Sequence, residues 1–368
     1  MVYRDFGNTG LKISQLGFGC MRLPEQEAGG ETRVDDEKAI PVLRRAYELG
    51  VNYFDTAVMY CHGDSQRAVG AAVKPFRDKI LLSTKLPLYL VKESADFRRV
   101  LEESLTKLDT DYIDFYHFHG IDRAAYDTVI APLHLMDEAR RALDEGLIRH
   151  ISFSFHDKPE NMAYILDQGE IFSSVLMQYN LLDRANAAAM ADARARGVGT
   201  VIMGPVAGGR LSAPTNLDQK LLGKRGMATP ELAMRFVLGN PNVCCALSGM
   251  SSMEMVEQNA AIASLEEPMT PADHERADQM MEELKRFSDL YCTGCAYCMP
   301  CPAGIKIPDI FSAYTYYNVY GLTDHARHLY AKQEVKPDAC LGCHACEKKC
   351  PQHIAIPDML KKAETMLS

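Results

Sequence analysis

Eight of the twelve cysteines in this chain of 368 residues fall in two short runs, and no other feature restricts the fold so tightly. The runs read Cys292-Thr-Gly-Cys295-Ala-Tyr-Cys298-Met-Pro-Cys301-Pro302 and Cys340-Leu-Gly-Cys343-His-Ala-Cys346-Glu-Lys-Lys-Cys350-Pro351. Three cysteines at i, i+3 and i+6 wrap a short loop so that their thiolates face one compact, many-cornered object. A cube of iron and sulfide meets that demand, whereas tetrahedral zinc usually takes its ligands as two separated pairs. Disulfides fit worse, because the chain shows no secretory signal and is far too long to need stapling. Two [4Fe–4S] clusters are therefore expected. The second run has the spacing C-x2-C-x2-C-x3-C-P; the first closes one residue early. Where this pattern is repeated, the cysteine before proline ligates the other cluster. The expected sets are Cys292, Cys295 and Cys298 with Cys350, and Cys340, Cys343 and Cys346 with Cys301.

A chain that is 47% hydrophobic and 24% charged can bury a large core. The reading is one large domain over residues 1–285 and a small, mainly helical ferredoxin-like domain over 286–368. A net charge of −9, with no basic stretch carrying interleaved aromatics, argues against nucleic acid or an anionic membrane as partner. No apolar run reaches the length of a spanning helix, and the start Met-Val-Tyr-Arg-Asp is not a signal peptide, so a cytoplasmic location is expected.

Ahead of the cysteines, a hairpin over Val2–Gly19 is followed by short apolar runs alternating with amphipathic segments. The runs are Gln15–Met21, Val51–Ala57, Ile80–Lys85, Tyr112–His119, His150–Phe155, Ser174–Asn180, Gly199–Pro205 and Val243–Met250. Helical patterns lie between them at Asp36–Leu49, Ala95–Leu108, Ala124–Glu145, Lys158–Asp167, Ala185–Arg196 and Pro230–Leu238. Eight β-α steps with continuously apolar strands predict an α/β fold, a (β/α)8 TIM barrel. A Rossmann sheet would need a G-x-G-x-x-G turn, and Gly17-Phe-Gly19 has no third glycine in register. Ser252–Leu290 reads as two helices broken near Pro268 and Pro271, and no repeat below the β-α step is visible. Between the cysteine runs, Ile310–Gln333 is helical in period, and its tyrosines need a core to pack against.

In such a barrel, chemistry sits at the C-terminal ends of the strands. Asp55, Lys85 and His119 fall there, and Tyr60 follows in the loop after Asp55. A phenol is a poor acid near neutrality. A neighbouring ammonium favours the phenolate, a carboxylate keeps that ammonium charged and oriented, and an imidazole can donate a hydrogen bond to a carbonyl oxygen. The set suits proton delivery to an oxygen becoming an alkoxide.

The sequence here resembles the aldo-keto reductase superfamily, in its branch with a C-terminal ferredoxin-like 4Fe-4S domain. The resemblance is carried by Gly7-Asn-Thr-Gly-Leu-Lys-Ile-Ser-Gln-Leu-Gly17-Phe-Gly, Asp55-Thr-Ala-Val-Met-Tyr60 with Gly63-Asp-Ser65, Lys85, Tyr112-Ile-Asp-Phe-Tyr-His-Phe-His119, Gln178-Tyr-Asn180 and Gly249-Met-Ser-Ser. It implies that Tyr60 is the general acid, Lys85 and Asp55 its tuning pair, and His119 the carbonyl-orienting group. It further implies an extended nicotinamide cofactor: Cys20, Met21 and Asp55 near the nicotinamide ribose, Ser154 and Gln178 near the carboxamide, Met203 under the ring, Gly204 and Val206 along the pyrophosphate, and Gly249, Gln258 and Asn259 around the adenosine. The chain departs from the family at Met203, usually an aromatic, and at Phe155, often asparagine. Gly249 and Met255 stand where Lys and Arg commonly meet the 2′-phosphate. Without those cations a phosphate dianion is poorly compensated, so NADH is expected over NADPH, or weak nicotinamide binding altogether.

Nicotinamides give up two electrons as hydride, whereas each [4Fe–4S] cluster moves one. A flavin could split the pair; no flavin fingerprint is present, although a barrel mouth can hold one without it. The expected function is an oxidoreductase interconverting a small carbonyl and alcohol, exchanging electrons through clusters, nicotinamide or both, with a ferredoxin-like protein as external partner. The alternative is an electron-transfer or docking subunit whose barrel is a scaffold.

Overall fold

The computed structural model describes residues 1–169, 171–181, 183–209, 211, 228–284, 290, 292–318 and 323–368. Contacts divide the chain into two compact units. The first is Met1–Tyr179, Asp183–Pro205 and Val237–Met269; the second comprises the described parts of Asn180–Leu182, Val206–Phe236 and Thr270–Ser368. The boundary expected at 285/286 lies outside the described residues.

The first unit opens with β1 (Tyr3–Asp5) paired antiparallel to β2 (Lys12–Ser14), the expected hairpin. Phe6, between them, packs edge-on against Tyr53 and at a tilt against Phe115, with ring centroids 5.9 and 4.7 Å apart, joining the apolar cluster that contains Leu81, Val201, Cys244 and Cys245. After β3 (Leu16–Gly19) comes a small exposed hairpin absent from the expected pattern, β4 (Glu25–Ala28) with β5 (Glu31–Val34). Its strands carry mostly polar and charged residues, so hydrophobic alternation gave no signal; the Gly29-Gly30 turn did.

The remaining strands are β6 (Tyr53–Asp55), β7 (Leu81–Pro87), β8 (Ile113–Ile121), β9 (Ile148–Phe155), β10 (Phe172–Gln178), β11 (Gly199–Met203) and β12 (Cys245–Ser248). They close with β3 into an eight-stranded parallel barrel in the order β10-β11-β12-β3-β6-β7-β8-β9, the TIM-barrel fold read from the sequence. Every residue of β7 is buried, the polar Ser83, Thr84 and Lys85 included, as expected of a parallel strand covered on both faces.

The flanking helices follow their sequence cues. Asp35 caps the helix Asp36–Glu48, accepting the Lys38 amide, and Ala39, Val42, Leu43 and Ala46 form its buried stripe. One expectation fails: Ala124–Glu145 is not continuous. A wide turn over Tyr126–Ile130 precedes a left-handed residue at His134 (φ 53°), and the helix proper is Leu135–Asp144. Pro132, which cannot donate into the ladder, interrupts it.

Within the second unit, the helices Ile307–Asn318, Thr323–Ala331 and Ile356–Leu367 surround a core of Ile307, Ile310, Phe311, Tyr314, Tyr330, Ile356 and Leu360. Tyr316 and Tyr317 pack against it, as the tyrosine-rich segment required; Tyr320 lies outside the described residues. The expectation of no smaller repeat is corrected here. Cys301-Pro-Ala-Gly-Ile-Lys-Ile307-Pro-Asp309 and Cys350-Pro-Gln-His-Ile-Ala-Ile356-Pro-Asp358 each end a cysteine run and start a helix. Weighing the cysteine spacing alone hid that duplication. Among the described residues no helix is long and apolar enough to cross a membrane.

Candidate active site and cysteine cavities

Three adjacent strands present the site. Asp55 ends β6, Lys85 lies in β7 and His119 in β8, all near the barrel's C-terminal end. Lys85 Nζ donates to Asp55 Oδ2 at 2.5 Å and to the Thr56 carbonyl at 2.8 Å, while Ser83 Oγ donates to Asp55 Oδ1 at 2.6 Å. The Lys85 and Asp55 side chains are 1% and 3% exposed, so neither charge is compensated by water.

Tyr60 follows on a short helical turn, its ring centroid 4.8 Å from Lys85 Nζ and 6.2 Å, edge-on, from the His119 ring. The next two residues, Cys61 (φ 50°) and His62 (φ 55°), are both left-handed, a conformation costing a non-glycine residue ~1–2 kcal/mol. Cys61 Sγ, donating to the Met21 and Cys20 carbonyls at 3.6 and 3.7 Å, ties the strained turn to the end of β3.

The electrostatics differ from the simple expectation that an ammonium lowers the phenol. Burial, then the Asp55 carboxylate, push the Tyr60 phenol well above its ordinary value. Lys85 does not reverse this because its charge is already matched by Asp55. Burial and then Lys85 hold His119 well below the usual histidine range, so it enters neutral, as a hydrogen-bond donor to a carbonyl should.

Burial lowers His117 to about 4 and also lowers His150. The folded state therefore keeps these rings neutral where the unfolded chain takes up protons. Stability should fall as pH drops from about 6.5 towards 4, His117 alone contributing up to ~1.4 kcal/mol per pH unit. Anaerobic urea unfolding at pH 7 and pH 5 measures this; greater stability at pH 5 would contradict it.

Several expected nicotinamide contacts also sit at strand ends. Cys20 is buried just after β3, and Met21 beside it is partly exposed. Ser154, buried in β9, accepts the Gly120 amide at 2.6 Å. Gln178 ends β10 and lies against Gly204 (φ 65°) so closely that a Cβ there would stand 2.7 Å from Gln178 Nε2; only glycine permits that approach. Met203 ends β11, partly exposed. Asn259 donates to Ser248 Oγ at 3.1 Å, whereas exposed Gln258 bonds Glu254 on its own helix at 2.9 Å. Val206 belongs to the second unit. Gly249 is exposed, and its missing Cβ would lie 3.9 Å from Cβ of Arg22, a cation the sequence reading passed over although it adjoins Met21.

The eight cysteines of the second unit line two cavities. Cys292, Cys295, Cys298 and Cys350 line one; Cys301, Cys340, Cys343 and Cys346 line the other. Each cavity draws three cysteines from one run and the fourth from the other. Burial and then Cys292, Cys295 and Cys350 push the Cys298 thiol up to about 12. In both runs the second and fourth residues after the first cysteine are left-handed: Gly294 and Ala296, Gly342 and His344. This winds each loop around its cavity. Cys343 is exposed, so the two cavities differ in access to solvent.

A parallel barrel with a buried Lys–Asp pair, a tyrosine and a histidine at its strand ends, followed by a four-plus-four cysteine unit, defines an oxidoreductase with an iron–sulfur appendage. Residues 15–282 match the model of the aldo/keto reductase family and residues 291–355 that of the 4Fe-4S dicluster domain; the chain belongs to the aldo/keto reductase family. It is 30% identical to L-galactose dehydrogenase of Arabidopsis thaliana, over 72% of this chain and 88% of that protein. It is 28% identical to the uncharacterized oxidoreductase YqkF of Bacillus subtilis, over 72% and 92%. The structure of aldo-keto reductase AKR11C1 from Bacillus halodurans (holo form) superposes with a TM-score of 0.66 at 29% identity, covering 76% of this chain and 96% of that one. An aldo-keto reductase from Klebsiella pneumoniae in complex with NADPH shares the fold at 22% identity, with a TM-score of 0.65 over 76% and 96%.

Proposed function

We propose that the barrel interconverts a small carbonyl compound and its alcohol, and that the second unit carries two [4Fe–4S] clusters that exchange electrons with an external one-electron carrier. The observation behind the first part is the Lys85–Asp55 pair, buried and bonded at 2.5 Å, facing Tyr60 and His119. His119 orients the carbonyl oxygen by a hydrogen bond. Tyr60, holding its proton at neutral pH, delivers it to that oxygen as charge develops, and Lys85 becomes the counterion of the resulting phenolate. A bound nicotinamide would supply the hydride, and Ser154 and Gln178 would hold its carboxamide. Bound clusters would supply one-electron transfer, held by the two cysteine sets that line the cavities.

NADH is favoured over NADPH because Gly249 and Met255 offer no cation to a 2′-phosphate. Anaerobically purified, cluster-replete protein should bind NADH at least ~10-fold tighter than NADPH, the worth of one charge-assisted contact. It should also turn over members of a carbonyl panel with NADH or a reduced carrier. Tighter NADPH binding would defeat the cofactor reading; no turnover with any donor, together with no nicotinamide binding, would defeat the enzyme reading in favour of a scaffold.

A further inference from the structure

The two cysteine loops follow the same backbone course but present different surfaces. Cys292-Thr-Gly-Cys295-Ala-Tyr-Cys298 and Cys340-Leu-Gly-Cys343-His-Ala-Cys346 align residue for residue, each left-handed at its third and fifth positions. Thr293 therefore corresponds to Leu341, and Ala296 to His344. The chain covers the first loop itself: Gly208, in the same compact unit, lies so close that a Cβ there would stand 2.5 Å from the Thr293 carbonyl oxygen. At the matching position Leu341 is 70% exposed, and Cys343 is the one exposed cysteine of the eight. A lone exposed leucine is ordinary on a protein surface. This one also lines the cavity of Cys301, Cys340, Cys343 and Cys346, as does His344, whose side chain is 61% exposed. The same two side chains thus border both the cavity and the solvent.

The charges differ as well. Residues 292–301 carry none, whereas residues 340–350 carry Glu347, Lys348 and Lys349 beside the His344 imidazole. Glu347 is engaged by His344, its Oε2 lying 2.6 Å from Nδ1, and its side chain is 28% exposed. Both lysines are exposed, and among the described residues neither meets a carboxylate. Lys336 and Asp338, just before the loop, balance one another in charge. The surface here is therefore basic on a chain whose net charge is −9. Opposite charge steers an encounter and like charge suppresses it, so a carboxylate-rich partner is drawn to this face and repelled by the chain's acidic remainder.

We propose that Leu341, His344, Lys348 and Lys349 form the docking face for an acidic one-electron carrier protein, which makes the cavity of Cys340, Cys343 and Cys346 the outer electron terminal of the second unit. This rests on the reading above that the unit exchanges electrons with an external carrier. Each encounter passes one electron, the reduced carrier being oxidised as the unit is reduced, and no bond or proton is transferred. Ile307 lines both cavities, so one side chain separates the open terminal from the covered one. Redox encounters of this kind use small interfaces, which suits a face of so few side chains.

The test uses cluster-replete, full-length protein under anaerobic conditions, with an acidic plant-type [2Fe–2S] ferredoxin as the probe. Calorimetry reads binding, and stopped-flow mixing reads reoxidation of the reduced ferredoxin. Lys348→Glu/Lys349→Glu should slow that reoxidation ~10–10²-fold at low ionic strength, within the range that electrostatic steering contributes, and weaken binding in parallel. The loss should shrink as salt is raised. Leu341→Asn should weaken binding roughly 10-fold at low and high salt alike, the scale of one apolar side chain withdrawn from an interface. Iron content should be unchanged in each variant. Lys79→Glu/Lys107→Glu, the same charge change at exposed barrel sites, should stay within about twofold of the parent protein because distant charges are screened. Equal losses from the two lysine pairs would reduce the effect to net charge and overturn the docking face. So would a ferredoxin that does not bind, or one that binds the Lys348→Glu/Lys349→Glu protein as tightly as the parent. A ferredoxin that binds with the expected pattern yet is never reoxidised would instead overturn the electron-exchange reading and leave the docking face standing.

Discussion

Tyr60→Phe is expected to slow carbonyl turnover ~10²–10⁴-fold, the contribution of a positioned proton donor, while iron content and nicotinamide Kd stay unchanged. The substitution removes one oxygen from a ring whose other contacts survive: the edge-on approach to His119 and the face presented to Lys85 need no hydroxyl. No other described acid can take over. His119 is held neutral by burial and Lys85, and the Lys85 ammonium is engaged by Asp55 and the Thr56 carbonyl. Steady-state kinetics with NADH and with a reduced one-electron carrier check this. A loss with both donors places proton delivery on the common path. An unchanged rate with either would mean that carbonyl reduction bypasses Tyr60.

Cys350→Ala is expected to empty the cavity formed mainly by the other run, cutting iron and sulfide by about half, since the set is Cys292, Cys295, Cys298 and Cys350. Cys301→Ala should have the mirror effect on the cavity of Cys340, Cys343 and Cys346. The remaining cluster should keep its EPR signal in each single variant, and the two variants should yield different signals because Cys343 exposes one cavity to solvent. If each run instead closed its own cluster, the signal lost in each variant would belong to the run that carries the substitution. Combining either variant with Cys295→Ala separates the cases: with Cys350→Ala it should cost no further iron, and with Cys301→Ala it should remove the rest.

Much of this was legible because it follows from short-range rules. Continuously apolar strands between glycine-ended helices have few solutions other than a parallel barrel, and all eight runs became strands. Asp55, Lys85 and His119 were found because strand ends are where a barrel does chemistry. Tyr53, Ser83 and His117 were not: a phenol, a hydroxyl and an imidazole inside apolar runs look like ordinary wall residues. The Tyr53–His117 and Ser83–Asp55 contacts depend on inter-strand register, which sequence does not display. The break at His134 escaped because a single proline outweighed the periodicity around it, and the β4–β5 hairpin because its strands carry no hydrophobic alternation. Arg22 escaped because its proximity to Gly249 joins the first and last strands of the barrel.

The crossed cysteine sets carry a consequence for how the protein matures. Synthesis is vectorial, so if the clusters are held by the crossed sets proposed above, the loop of Cys292, Cys295 and Cys298 is made first and waits for Cys350 as its fourth ligand. On that pairing neither half of the duplicated segment completes a cube from its own cysteines. Metal loading would then engage both halves together, making assembly of the iron–sulfur lobe a late step.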